Sequence, residues 1–368
     1  MEKKLTPFEP GELELDYQAL IEQFGTEAIT NVKNLPNTYG FQSGYVRNLR
    51  GGLVFSNRDF DKFMDDVLHK RKVSILTGFN ASGSIHLGHM VTFKIVLDLQ
   101  KKYKIPVYIP ISDDESYVFK KIGDQKEGLE NSKLIAKQLI ALGFDNKLTK
   151  IFIHQVYTKI YNLAIKLSTK TTLSTVKAIY GFDDSTNPGM LFYPIIQAAD
   201  ILFPQEILGP HRTLVPIGID QDPHVRLARD IAEKFGYVKP AAIHIKYVPG
   251  LKGGKMSKTV PGSAVFLDEK PEKAAQFVMN ALTGGRATAE EQKRLGGDVD
   301  KCVVCNYHHY FLQGKELEKI IIDEKVGKAL CGDSKKILAR NVEEFLTDFQ
   351  AKVRKAEKQS CIGIDLGI

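Results

Sequence analysis

The chain has 368 residues, too long for one minimal core and suited to two or three domains. Its 43% hydrophobic and 26% charged residues are ordinary for a globular protein, and its net charge of +7 permits a polyanionic partner without demanding one. No apolar run approaches the ~20 residues of a membrane span, and the opening MEKKLTPFEPGELELDY has no apolar signal core, so a membrane-spanning or exported class is set aside and a cytoplasmic protein is expected.

Residues 1–70 read as an N-terminal extension. Within it SNRDFDKFMDDVLHKR predicts a helix capped by Ser56 or Asn57, with Phe60, Phe63, Met64 and Val67 on one face. Val73-Ser74-Ile75-Leu76 follows as a short buried strand, then a turn of small residues, GFNASGSIHLGHM. From His89 to Lys102 apolar Val91, Phe93, Ile95, Val96 and Leu99 recur at helical spacing. Next come a strand over 105–112, a helix around LENSKLIAKQLIALGF and a strand over 151–154. Helical stretches follow around IYNLAIKL, TLSTVKAIYGF and MLFYPIIQAADIL. A strand over 212–220 feeds the amphipathic helix PHVRLARDIAEKFGY, and 241–248 is the last strand. This alternation predicts an α/β fold, a Rossmann-like doubly wound parallel sheet over residues 71–264, in which ligands bind beyond the carboxyl ends of the strands. His86, Asp114, Glu115 and Asp220 fall at those ends. Past Pro261 the strands stop, and KPEKAAQFVMNALTGG, KELEKIIIDEKVGKAL and SKKILARNVEEFLTDFQAKVRKAEK predict a helical C-terminal domain over 265–368.

The cysteines, Cys302, Cys305, Cys331 and Cys361, all lie in the last fifth of the chain. Cys302 and Cys305 have metal-ligand spacing with His308 and His309 close behind, which raises a zinc site. The residues between the pair are Val303 and Val304, and CVVCNYHHYFL lacks loop character. Buried thiols in an ordinary core segment are therefore expected, and no tightly bound metal.

Two stretches carry chemistry. In His86-Leu87-Gly88-His89 a strand, a small-residue turn and a helix N-terminus meet, where free backbone N–H groups and the helix dipole attract phosphates. Glycine at 88 lets a flat group lie against the backbone, and the imidazoles can donate to phosphate oxygens as charge builds in a transition state. GLKGGKMSKT (250–259) places Lys255 and Lys258 on a glycine-rich loop after the last strand. Two ammonium groups there can close over a triphosphate and neutralise a departing pyrophosphate.

HLGH and KMSKT resemble the two signatures of class I aminoacyl-tRNA synthetases, usually HIGH and KMSKS. YPIIQAAD (193–200) and GIDQDPHVRLARDIA (218–232) are similar to the tyrosyl/tryptophanyl branch. The Asp-Gln-Asp-Pro run, GGRATAEEQKRLGGDVDKCVV (284–304) and the length resemble that branch's tryptophanyl form of archaeal/eukaryotic type. The resemblance implies an enzyme that activates L-tryptophan with Mg2+-bound ATP and passes it to tRNA(Trp), as a cytoplasmic homodimer. It assigns catalysis to His86, His89, Lys255 and Lys258. ATP would also meet Gly78, Ser82, Gly83, Gly88, Asp220, Met256 and Ser257, with Asp220 on the ribose. Glu115, Gln197 and Gln221 match the positions that take the amino-acid ammonium group. For the tRNA, Arg286, Lys335 and Lys336 are the candidates on the C-terminal domain.

The chain departs from the eukaryotic-type pattern at Leu76 and Pro110, where those relatives carry a tyrosine and a glutamine that read the indole. Indole offers a donor and no acceptor, so its slot wants a buried acceptor. Asp200, three residues after Gln197 and on nearly the same helical face, is the candidate; bacterial tryptophanyl enzymes carry an aspartate in the same Ala-Ala-Asp setting. The rival readings are a tyrosyl-tRNA synthetase, a nucleotidyltransferase using His-x-Gly-His alone, and a retired paralogue used for RNA binding. The KMSKT loop opposes the second, and intact His86, His89, Lys255 and Lys258 oppose the third.

Overall fold

A computed structural model describes residues 16–32, 53–254, 256, 260–312 and 314–358. The chain opens with α1 (Tyr17–Phe24), β1 (Glu27–Ala28), β2 (Val54–Arg58) and α2 (Phe60–Leu68). The alternating part runs β3 (Val73–Leu76), β4 (Phe79–Asn80), α3 (Leu87–Tyr103), β5 (Val107–Ser112), α4 (Asp113–Val118), α5 (Gln125–Ala141) and β6 (Thr149–Ile153). It continues through α6 (Lys159–Ser168), α7 (Leu173–Tyr180), α8 (Pro188–Leu208), β7 (Arg212–Gly218), α9 (Asp222–Lys234) and β8 (Ala241–Ile245).

These strands form one sheet in the order β1–β2–β8–β7–β3–β5, with β4 and β6 also on β5. Ile75 and Leu76 face Val107 and Tyr108, while Phe79 and Asn80 face Ile111 and Ser112. One register therefore runs through the break at Thr77 and Gly78, and β4 prolongs β3. The parallel strands alone read β6–β5–β3–β7–β8, the doubly wound order, whose reversal lies between β3 and β7. Because side chains alternate across a strand, the sheet divides its apolar residues between two cores. Ile75, Ile109, Ile151, Leu214 and Ile243 pack with α3 and α5 on one side. Leu76, Tyr108, Phe152, Val215 and Ala242 pack with α6, α8 and α9 on the other.

The N-terminal part differs from the sequence expectation. Ser56 and Asn57 are not helix caps but members of β2, which extends the sheet antiparallel to β8. The helix starts after Asp59, and Asn57 Oδ1 accepts from Phe60 N at 3.2 Å. Beyond residue 270 lie α10 (Pro271–Met279), α11 (Ala289–Leu295), α12 (Val303–Phe311), α13 (Gly314–Lys325) and α14 (Cys331–Lys358). Ala274 and Val278 of α10 and Leu338, Val342 and Leu346 of α14 join the same core as Ile135 and Leu139 of α5. Among the described residues no helix is long and apolar enough to cross a membrane.

Candidate active site

A cavity of about 600 Å³ opens where the strand order reverses, beyond the carboxyl ends of β3, β5 and β7. Its walls bring together Gly78, Ser82, Gly83, His86, His89, Glu115, Gln197, Asp200, Gln221 and Met256, which are far apart in sequence.

The histidine turn is held from behind. Leu87 N donates to Val265 O at 3.0 Å and Leu267 N to Ile85 O at 2.8 Å, so the chain returning from the 250–263 loop pairs with the turn on both sides of His86. His86 caps α3, and its N–H donates to His89 Nδ1 at 3.3 Å. The imidazoles stack with centroids 3.5 Å apart, and the edges of Phe266 and Phe79 brace them from either side. Gly83 has a φ of 151°, a conformation that L side chains rarely adopt. At Gly88 a Cβ would stand 3.0 Å from Met256 Sδ and 3.1 Å from the His86 ring. Glycine there lets the loop methionine pack closely on the helix N-terminus; a methyl group would press both neighbours back by a few tenths of an ångström. The loop is pinched at its base by Leu251 N to Ser263 O at 2.8 Å and Gly250 N to Gly254 O at 2.7 Å. Tyr307 of α12 donates to Pro249 O at 2.9 Å and lies 3.9 Å from Met256 Sδ, tying the loop to the helical half.

At the other end the polar groups form one network. Glu115 Oε1 accepts from Lys121 Nζ at 2.7 Å, and Tyr193 Oη lies 3.0 Å from Glu115 Oε2 and 2.6 Å from Gln197 Oε1. Burial would raise the Glu115 pKa, but the Lys121 ammonium and bonds from Asn80 and Tyr193 hold it below its ordinary value. A carboxylate kept charged beside amide oxygens suits an ammonium ligand. Gln221 Nε2 donates to Asp220 Oδ2 at 2.8 Å, which fixes the side chain that reaches the cavity.

Asp200 is 1% exposed, in mid-helix, so it is neither a cap nor a surface acid. Its Oδ1 lies 3.0 Å from Nε2 of His154, whose Nδ1 is 2.8 Å from Asp114 Oδ1. Burial alone would lower the His154 pKa, but the two carboxylates drive it well above its usual value. Burial conversely raises Asp200, partly offset by His154. An imidazolium with a carboxylate on each ring nitrogen thus stands behind the cavity floor.

Of the remaining sequence candidates, Gly88 lies behind the cavity wall, and Asp220 is buried, engaged by Gln221 rather than lining the cavity. Arg286, Lys335 and Lys336 lie on the helical half, where Arg286 Nε donates to Gly296 O at 2.9 Å. Lys255, Ser257 and Lys258 lie outside the described residues. The sequence reading missed Lys121, Tyr193 and His154. Tyr193 was visible as a residue four before Gln197, on the same helical face; His154 gave only the signal of a histidine closing an apolar strand.

The family described as tRNA synthetases class I (W and Y) matches residues 68–347. A tryptophan–tRNA ligase of Thermococcus onnurineus is 40% identical over 97% of this chain and 93% of its own. One of Pyrococcus furiosus is 40% identical over 97% and 92%. Among solved structures, the tryptophanyl-tRNA synthetase of Aeropyrum pernix K1 superposes with a TM-score of 0.84 at 36% identity, covering 98% of both chains. That of Encephalitozoon cuniculi bound to tryptophan gives a TM-score of 0.86 at 30% identity, covering 96% and 99%.

Proposed function

The chain belongs to the class I tRNA synthetases of the tryptophan and tyrosine branch, and from that premise we propose that it is a tryptophan–tRNA ligase. The observation that carries the reading is the meeting, in one cavity at the sheet's reversal point, of the His86–His89 turn with the Glu115–Gln197–Asp200 wall. The first end suits phosphates and the second an amino acid. In the first step a tryptophan carboxylate oxygen attacks the α-phosphorus of Mg2+-bound ATP, and the bond to pyrophosphate breaks. In the second, a ribose hydroxyl of the terminal adenosine of tRNA(Trp) attacks the adenylate's carbonyl carbon and AMP leaves.

Positioning and charge stabilisation do most of this work. Ser82, Gly83 and the α3 N-terminus would cradle the phosphates, and His86 and His89 would donate to oxygens of the α-phosphate as charge grows there. Lys255 and Lys258 would neutralise the departing pyrophosphate. Glu115, with Gln197 and Gln221, would take the α-ammonium group beside that of Lys121, and Asp200 the indole N–H. Asp220 and the backbone at Gly88 would serve the adenosine. Residues 265–368 would hold the anticodon arm, and the family pattern further suggests a cytoplasmic homodimer. ATP–pyrophosphate exchange with each of the twenty amino acids tests the reading. Exchange should depend on tryptophan; exchange driven by tyrosine instead would overturn it.

A further inference from the structure

One buried cluster in the helical half takes no part in that chemistry. Cys302 caps α12, Cys305 sits in its first turn, Glu324 lies in the last turn of α13 and Cys331 opens α14. The sulfurs of Cys302 and Cys305 and a carboxylate oxygen of Glu324 lie within 4.8 Å of one another, all buried. Glu324 Oε1 is 3.4 Å from Cys302 Sγ and 3.4 Å from Cys331 Sγ. Glu324 is 0% exposed, and its Oε2 has no hydrogen-bond partner. A carboxylate taken wholly out of water among weak thiol donors is costly unless a cation accompanies it.

We propose that Cys302, Cys305, Glu324 and Cys331 bind one soft divalent cation of the zinc class. Zinc sits about 2.3 Å from sulfur and about 2.0–2.2 Å from a carboxylate oxygen, so in a tetrahedron adjacent sulfur and oxygen ligands stand about 3.5 Å apart. The two 3.4 Å sulfur–oxygen separations already have that spacing. Cys331, outside the group of three and 3.2 Å from Gln292 Nε2, would turn from the glutamine toward the ion, and four protein ligands would then close the coordination shell, which marks a structural ion rather than a catalytic one. The pair of histidines next to the cysteines is not needed. His308 Nε2 is bonded to Ser334 Oγ at 3.0 Å. The sequence expectation of plain buried thiols counted Cys331 but could not place it beside the pair, and it did not include Glu324; the packing of α13 and α14 brings both in. An ion there staples three helix ends. One of those helices, α12, carries Tyr307 against Pro249 and Met256, so the ion braces the surface on which the signature loop rests.

The test uses the full chain, stripped with a chelator under reducing conditions and titrated with Zn2+ against a metallochromic competitor. About one equivalent should bind, Co2+ in its place should give a thiolate-to-metal absorption band, and zinc should raise the Tm. Glu324→Gln keeps the size of the side chain and so separates ligation from folding. It and Cys331→Ser should each weaken Zn2+ binding by at least the roughly 10–100-fold that loss of an outer-shell partner costs. The proposal fails if the stripped chain takes up no zinc. It fails equally if Glu324→Gln and Cys302→Ser bind as tightly as the parent, or if the isolated protein holds a Cys302–Cys305 disulfide.

Discussion

The buried carboxylate of Asp200 and the buried imidazole of His154 stand 3.0 Å apart, and each limits what the other can do. Asp200 cannot swing away from the cavity while His154 holds one of its oxygens, so it presents a fixed acceptor to whatever occupies the slot under Leu76 and Pro110. If that occupant is indole, Asp200→Ala leaves the N–H unpaired at a cost of ~1–3 kcal/mol, a roughly ten- to hundredfold fall in kcat/KM for tryptophan with the ATP KM unmoved. Tryptophan activation that survives the change intact transfers the role to Gln197 or to backbone acceptors. His154 makes a separate, pH-dependent contribution. Its pKa is raised on folding, so its charge stabilises the protein fully below the ordinary histidine value of about 6.5 and fades as pH rises through the raised one. The Tm gap between wild type and His154→Gln should therefore shrink on the alkaline side; a gap that widens there contradicts a charged His154. On the phosphate side, Lys255→Ala or Lys258→Ala should slow ATP–pyrophosphate exchange by ~10²-fold or more with little change in tryptophan affinity, because the lost charge matters most as pyrophosphate departs. Unchanged exchange in both removes the loop from the mechanism.

Strand β2 shows why a sequence can hide an element that the fold requires. Val54-Phe55-Ser56-Asn57-Arg58 has polar residues where a buried strand should be apolar, yet Ser56 and Asn57 are both fully buried. Asn57 is satisfied by Glu27 O and Phe60 N, but Ser56 and Arg58 are satisfied from across the sheet: Ser56 Oγ lies 2.8 Å from His244 Nδ1, His244 Nε2 is 3.1 Å from Asp222 Oδ1, and Arg58 grips both oxygens of Asp222 at 2.7 Å. His244 and Asp222 lie more than 160 residues away, beyond the reach of any local pattern. The central strands Val73–Leu76, Val107–Ser112 and Arg212–Gly218 are mostly apolar and so legible, although buried Ser74 and Thr213 pair with each other at 3.0 Å, and the helices between them show their 3.6-residue period. The site was readable to the same degree. His86, His89, Glu115 and Gln197 announce themselves by motif, whereas His154 and Lys121 matter only through neighbours that folding supplies. The Arg58–Asp222–His244 latch joins β2 and β8 to the start of α9, just after Gln221. Asp222→Ala leaves the half-buried Arg58 guanidinium with only the Phe24 and Gly25 carbonyls and removes the charged partner of His244, and should cost ~1–3 kcal/mol in urea denaturation near neutral pH. Burial would raise the Asp222 pKa, but Arg58 and His244 outweigh it and keep it below its ordinary value. The latch is therefore intact above the unfolded carboxylate value of about 3.9 and lost as pH falls through the lower folded one, so the gap between wild type and Asp222→Ala should close in acid. A loss that does not vary with pH would mean that packing, not charge, holds the strand.

For the whole molecule, the strands stop at Ile245 but the apolar core does not, since Leu338, Val342 and Leu346 of α14 share it with α5 of the sheet layer. Cutting the chain at 265 would bare that face of α5 and lose tRNA charging through misfolding alone, so it cannot show what the helical half grips. Surface substitutions can. Lys336 is exposed, and its ion-pair partner Asp333 is 3.4 Å away and exposed as well, a pairing too weak to explain the residue by stability. Arg286 spends one N–H on Gly296 O and keeps the rest of its guanidinium for another partner. If these side chains and Lys335 contact the tRNA, replacing all three with Ala should leave tryptophan-dependent ATP–pyrophosphate exchange unchanged, because the cavity lies on the sheet. Aminoacylation should fall, with tRNA binding that is weaker and less dependent on salt. Each phosphate contact removed flattens the slope of log K against log salt by about one unit. Exchange and charging that fall together would place the damage in the fold. A loss of charging with the salt slope untouched would mean these residues make no phosphate contacts and would move the search to other faces of the helical half.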